Sequence, residues 1–163
     1  MPLKISKFPA PVLRKTAKPV KKVTPEIIEL IDKMIATMKA APGIGLAAPQ
    51  VGRSLRVIVL DIGEGEYALI NPEVIDKSGG QTILEGCLSL PGVEAPVERA
   101  SWVKVKGIDR DGEEVVVVAE GLLATVFQHE IDHLEGHVFI DRVKDPSLIK
   151  HVPRSKEKKE ELI

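Results

Sequence analysis

In Gly121-Leu122-Leu123-Ala124-Thr125-Val126-Phe127-Gln128-His129-Glu130-Ile131-Asp132-His133-Leu134, the residues are spaced for one helix. Gly136 follows where a C-terminal cap is expected. Residues four apart share a helix face, so His129 and His133 can aim imidazole nitrogens at a common point. Leu122 and Val126 extend that stripe, which is expected to carry both histidines inward. Two titratable side chains in a core need a partner, and a metal ion supplies one. Glu130 lies about 100° around the axis from His129. It is poorly placed as a third tight ligand, but it can reach a water beside the ion. This is the His-Glu-x-x-His arrangement of zinc hydrolases. The motif is short, and its competing interpretation is two hydrogen-bonded core histidines with Glu130 in solvent.

A catalytic metal site usually takes three protein ligands and leaves one position open. The remaining candidates are His137, His151, Cys87 and several carboxylates. His137 follows Gly136 and falls outside the helix, and His151 sits near the C-terminus. Cys87 stands in Glu85-Gly86-Cys87-Leu88-Ser89-Leu90-Pro91, where a glycine lets the backbone approach closely. A lone cysteine is ordinarily an inert buried side chain. With two histidines in want of a soft third ligand, Cys87 is favoured. Ligand chemistry alone points to zinc.

Outward from this centre, Arg56–Asp61 reads as a buried strand, with Tyr67–Ile70 as its partner across Gly63-Glu64-Gly65-Glu66. Trp102–Lys106 and Glu114–Val118 read as a hairpin turned at Asp109-Arg110-Asp111-Gly112. Residues 63–66 and 92–96 are taken as loops. Thr24-Pro25-Glu26 opens a second helix, with apolar residues at Ile27, Ile28, Ile31, Met34, Ile35 and Met38 and a stop at Pro42-Gly43. Before it, Pro2, Pro9, Pro11 and Pro19 mark an irregular arm laid over the domain. The fold class that results is α+β, with mainly antiparallel sheets packed around a central metal-binding helix. One catalytic domain spans 1–163, and 145–163 is a tail expected to be a solvated helix or a frayed end.

The 163 residues suit one domain, and 44% hydrophobic content suffices for a core. A net charge of −1 and 3% aromatics speak against a nucleic-acid surface. One cysteine forms no intrachain disulfide and suits a reducing compartment. With no apolar run long enough to span a bilayer and no leader pattern, a cytoplasmic protein with no membrane contact is expected.

Three segments in order resemble the motifs of the peptide deformylases: Gly43-Ile44-Gly45-Leu46-Ala47-Ala48-Pro49-Gln50, Glu85-Gly86-Cys87-Leu88-Ser89 and Gln128-His129-Glu130-Ile131-Asp132-His133. The resemblance runs to about Val143 and matches the shorter, first class, without an insertion between the first two motifs. It implies removal of the formyl group from the N-terminal formyl-methionine of nascent polypeptides, releasing formate. It implies an iron(II) ion in the cell, with zinc, nickel or cobalt as substitutes, held by Cys87, His129 and His133. Glu130 would carry the proton, and the Gln50 side-chain amide and Leu88 backbone N–H would stabilise the oxyanion. Gly45 would bond the peptide through its backbone. Ile44, Ile83, Leu122 and Val126 are candidates for the methionine pocket, and Asp132 would pair with Arg99. Two departures stand out. Glu94 occupies a position where many relatives carry an arginine, which affects preference beyond methionine. The short tail carries acidic as well as basic residues, so docking on the ribosome near the exit tunnel is an expectation only. The rival readings are a His-Glu-x-x-His metallopeptidase and a non-catalytic homologue that binds nascent chains.

Overall fold

The structure is a computed structural model describing residues 2–152. Its first regular element is a 3-10 turn, Pro11–Arg14, within the proline-rich arm. Helix α1 (Pro25–Ala40) begins where Thr24 accepts a hydrogen bond from the Ile27 N–H at 3.4 Å, with Pro25 in the first turn. Strands follow at β1 (Gly45–Ala47), β2 (Val57–Leu60), β3 (Tyr67–Ser78), β4 (Gln81–Cys87), β5 (Leu90–Arg99), β6 (Trp102–Ile108) and β7 (Glu114–Glu120). Helix α2 (Gly121–Leu134) comes next, and β8 (Lys150–His151) closes the described chain. One sheet has the order β1-β2-β3-β6-β7 and the other β4-β5-β8, with every ladder antiparallel. This is the α+β architecture expected.

Around β2 the larger sheet is covered on both faces. In β2, Val57 and Val59 point to α1, where they meet Ile27, Leu30, Ile31, Met34 and Met38. Ile58 and Leu60 point the other way, into a cluster with Val103, Val105, Ala124, Val126 and Phe127. Side chains alternate along a strand, so a strand between two helices must be apolar at every position. That is why Val57–Leu60 is an unbroken buried run, each side chain contributing about 1.5–3 kcal/mol. Helix α2 therefore lies inside the molecule, between the large sheet and β4.

Two expectations are revised. Residues 92–96 are part of β5 rather than a loop. The ladder with β4 skips from Glu85↔Ala95 to Cys87↔Leu90, and the bulged segment pairs instead with β8 through Val93↔His151 and Glu94↔Lys150. The tail from 145 to 152 is accordingly neither helix nor frayed end: it makes a 3-10 turn, Pro146–Leu148, and then β8. The charged positions from Arg154 to Glu161 lie outside the described residues. The other end of α2 behaves as read. Gly136 has φ +78°, and a Cβ there would stand 2.6 Å from the Arg14 carbonyl oxygen of the arm.

Candidate metal centre

Strand β4 and helix α2 run side by side, and alternate residues of β4 meet successive turns of α2. Gln81 Nε2 donates to the Gly121 carbonyl (2.6 Å) and Thr125 Oγ1 (3.0 Å). Glu85 Oε1 is 2.8 Å from His129 Nδ1, and Cys87 Sγ is 3.4 Å from His133 Nε2. The period of two in the strand puts Gln81, Glu85 and Cys87 on one face. The i, i+4 spacing in the helix presents His129 and His133 to it.

Cys87, His129 and His133 are each no more than 1% exposed, and their ligand atoms lie within 4.8 Å of one another. Among the described residues this is the cluster of His, Cys, Asp and Glu able to hold an ion. The donor set fits a metal on four counts. With Nδ1 of His129 on Glu85, its Nε2 is buried without a hydrogen-bond partner, the arrangement of a ligating imidazole. Two ligands at about 2.3 Å (sulfur) and 2.05 Å (nitrogen) on a tetrahedral ion are about 3.6 Å apart, close to the 3.4 Å between Cys87 Sγ and His133 Nε2. Burial above all, with the charge of Arg99 acting in the same direction, pushes the His133 pKa well down, so the ring is held in its neutral, ligating form. Burial, reinforced by Glu130, pushes the Cys87 thiol well up, so a thiolate there calls for a cation beside it.

Glu130 is completely buried, and among the described residues neither carboxylate oxygen has a hydrogen-bond partner. Burial, together with the negative charge of Glu85, raises its pKa well above the ordinary 4.5. The carboxylate lies against the backbone of Gly45. A Cβ at that position would meet Glu130 Cδ at 2.9 Å and Val126 Cγ1 at 3.0 Å. The lack of a side chain at Gly45 thus makes room for Glu130, a reason distinct from the approach of substrate. Gln50 sits in a 3-10 turn, Ala48–Val51, and is fully buried. Its Oε1 accepts from the Ala47 N–H (2.9 Å), while Nε2 donates to Ser89 Oγ (3.1 Å) and lies 3.5 Å from Cys87 Sγ. Its amide is thereby aimed at the thiol end of the cluster. Leu88 occupies the turn between β4 and β5 and is buried.

Behind His129 stands a chain of alternating charges. Arg99 donates to both oxygens of Glu85 (2.7 and 3.0 Å) and to Asp132 Oδ2 (2.8 Å). Arg142 donates to the same Asp132 from outside, at 3.0 and 3.1 Å. Asp132 and Arg99 therefore meet. Glu85 and Arg142 are the members that sequence reasoning did not assign. Burial would raise the Glu85 pKa, but the hydrogen bonds from His129 and Arg99 outweigh it and hold the carboxyl below its ordinary value. The signal that could have found Glu85 is chemical: a ligating histidine needs an acceptor on its other nitrogen, and Glu85 lies two residues before Cys87 on the same strand face.

The four apolar candidates divide. Ile44 and Val126 are enclosed in the cluster between α2 and the large sheet, and Ile83 is half-buried. Leu122 is 40% exposed, although its neighbours Leu123 and Ala124 are buried in the core. The inward stripe read from the sequence therefore begins at Val126. His137 is exposed, 3.7 Å from Asp141, and His151 is exposed on β8, so neither joins the cluster.

A buried Cys-His-His set with an unpartnered carboxylate beside it defines a metal-dependent hydrolase. A profile of the family described as polypeptide deformylase matches residues 2–148. Among curated relatives, the peptide deformylase of Carboxydothermus hydrogenoformans is 55% identical over 139 residues, covering 85% of this chain and 91% of its own. That of Halothermothrix orenii is 56% identical over 143 residues, covering 86% and 93%. The crystal structure of peptide deformylase from Thermotoga maritima superposes with a TM-score of 0.87 at 45% identity, covering 89% of this chain and 99% of that one. The chain belongs to the peptide deformylase family, and it is an enzyme of that family.

Proposed function

We propose that the Cys87–His129–His133 centre hydrolyses the N-terminal formamide of formyl-methionyl nascent polypeptides, with Glu130 as the proton carrier. The observation that carries this reading is Glu130 itself, a buried carboxylate with no partner on either oxygen, one residue from a ligand. Such a group is costly to retain, and a general base with a raised pKa is its natural use. A divalent ion held by Cys87, His129 and His133 supplies Lewis acidity that makes water nucleophilic near neutral pH. Glu130 takes a proton from the attacking water on a carboxylate oxygen and delivers it to the leaving nitrogen. The formyl C–N bond breaks as the new C–O bond completes formate, and the methionine amine departs. The Gln50 amide and the Leu88 N–H donate to the developing oxyanion. Ile44 and Val126 form the floor of the methionine pocket, with Ile83 and Leu122 at its rim.

The family resemblance favours iron(II) in the cell, with zinc, nickel or cobalt able to replace it. Residues 1–163 act as one cytoplasmic catalytic domain, and contact with the ribosome is a further expectation of the resemblance. The test is formate release from a formyl-Met tripeptide under anaerobic conditions, with iron and with zinc. Release from the formylated peptide, and no cleavage of its unformylated counterpart, is expected. Peptide-bond cleavage of the unformylated peptide would replace this reading with a metallopeptidase. Cys87→Ala should lose bound metal, and unchanged metal content by elemental analysis would remove Cys87 from the shell.

A further inference from the structure

The two oxyanion donors proposed above belong to different sheets. Gln50 follows β1 of the five-stranded sheet, and Leu88 follows β4 of the three-stranded one. Their spacing depends on how the two sheets are held together at this point. Three consecutive residues of the N-terminal arm bond to both turns. The Ser6 N–H donates to the Gln50 carbonyl at 2.6 Å. Lys7 Nζ donates to the Leu88 carbonyl at 3.1 Å. The Phe8 N–H donates to the Ser89 carbonyl at 2.8 Å. The arm is anchored on either side. The Leu3 N–H donates to the buried Thr37 Oγ1 of α1 at 2.7 Å, and Leu3 and Ile5 pack on the cluster that contains Leu88. Phe8 packs on the separate cluster around Cys87 and Phe139.

We propose that Ser6-Lys7-Phe8 is a positioning strap that sets the distance between the Gln50 amide and the Leu88 N–H. Lys7 is its charged member. The proposal rests on the assignment of those two groups as oxyanion donors. In two of the three bonds the acceptor is the carbonyl of a donor-bearing residue itself, so loss of the Ser6 or Lys7 bond loosens Gln50 or Leu88 directly. Donors at an oxyanion act only when preorganised, and small displacements lower turnover rather than ground-state binding. None of the three strap residues supplies a metal ligand.

The experiment uses the metal-loaded full chain carrying Lys7→Met, which keeps the apolar stem and removes the charged donor. Turnover should fall by about ten-fold, less than the loss expected for deleting an oxyanion donor outright. KM should stay within about two-fold and metal content should equal that of the parent, with Lys7→Arg recovering part of kcat. Unchanged kcat, or a loss that follows metal content or KM, overturns the proposal. Ser6→Pro removes the bond to the Gln50 carbonyl without touching the lysine, and keeps the test open if Lys7→Met does not fold. Its effect on kcat should largely vanish in a Gln50→Ala background, since both act through one group. Effects that multiply would place the arm's action elsewhere and overturn the strap. Parent-level kcat for Gln50→Ala alone would instead remove the donor assignment, and the strap would fall with it. A loss in Gln50→Ala without one in Lys7→Met or Ser6→Pro would sink the strap alone.

Discussion

Glu85 and Glu130 are both fully buried beside His129, yet their surroundings are opposite. Glu85, behind the ring, has His129 and Arg99 on its oxygens and is held ionised. Glu130, on the other side, has no partner and is pushed toward its protonated form. Two like side chains whose pKa values are driven apart by their environments take different roles. In the proposed mechanism the satisfied carboxylate orients a ligand, and the unsatisfied one moves protons.

Removal of Glu85 should break this contrast most severely. Glu85→Ala leaves the Arg99 guanidinium buried with half its partners gone, which should cost about 3–5 kcal/mol of stability in urea unfolding. The same variant should weaken metal affinity by about 10–100-fold in chelator competition. A stability change below about 1 kcal/mol would show that the network is not what holds β4 to α2.

Gly45→Ala attacks the other side. The added methyl displaces the Glu130 carboxylate, and turnover should fall by about 10²-fold with metal content unchanged. Parent-level turnover would mean that the position of Glu130 is not constrained by β1.

The two glutamates should also give opposite pH dependences in the metal-free protein. The folded pKa of Glu85 is depressed, so its contribution is present above the ordinary 4.5 and lost as pH falls through the lower folded value. Glu85→Gln should therefore be destabilised at pH 7 and approach the parent in acid. The folded pKa of Glu130 is raised, so its contribution is complete below 4.5 and is lost as pH rises. Glu130→Met should be more stable than the parent at pH 7, by about 1–3 kcal/mol, with the margin narrowing as pH falls through 4.5. Shifts of the same sign for both variants would erase the contrast. The outermost member should matter least. The side chain of Arg142 is 48% exposed, and Arg142→Ala should cost at most about 1 kcal/mol, less at high salt.

The sequence carried both helices, the β2–β3 and β6–β7 hairpins and the approach of His129 to His133 clearly, because each is a local pattern: a cap, a turn or a spacing of four. Cys87 followed from a chemical need rather than from its neighbours. The bulged course of β5 and its pairing with β8 were not readable. They depend on a partner strand more than fifty residues away. The exposure of Leu122 was not readable either: helical periodicity gives a face but not which members of that face other elements cover, and Leu122 is open while Leu123 and Ala124 beside it are buried. The Glu85–Arg99–Asp132–Arg142 chain was legible only at its Asp132–Arg99 step, through the family resemblance. Glu85 lies in a strand of mixed polarity that reads as half-exposed, and Arg142 reaches Asp132 only because the chain turns back after Gly136. The double duty of Gly45 became visible once β1 was seen against Glu130.

On the proposed mechanism the unpartnered Glu130 does the proton chemistry and the paired Glu85 does not. The decisive measurement is formate release per bound metal by Glu130→Gln, loaded anaerobically and assayed on a formyl-Met tripeptide. Metal content should equal that of the parent, and turnover should be lower by about 10²–10⁴-fold. Release at the parent rate from fully loaded Glu130→Gln would contradict it.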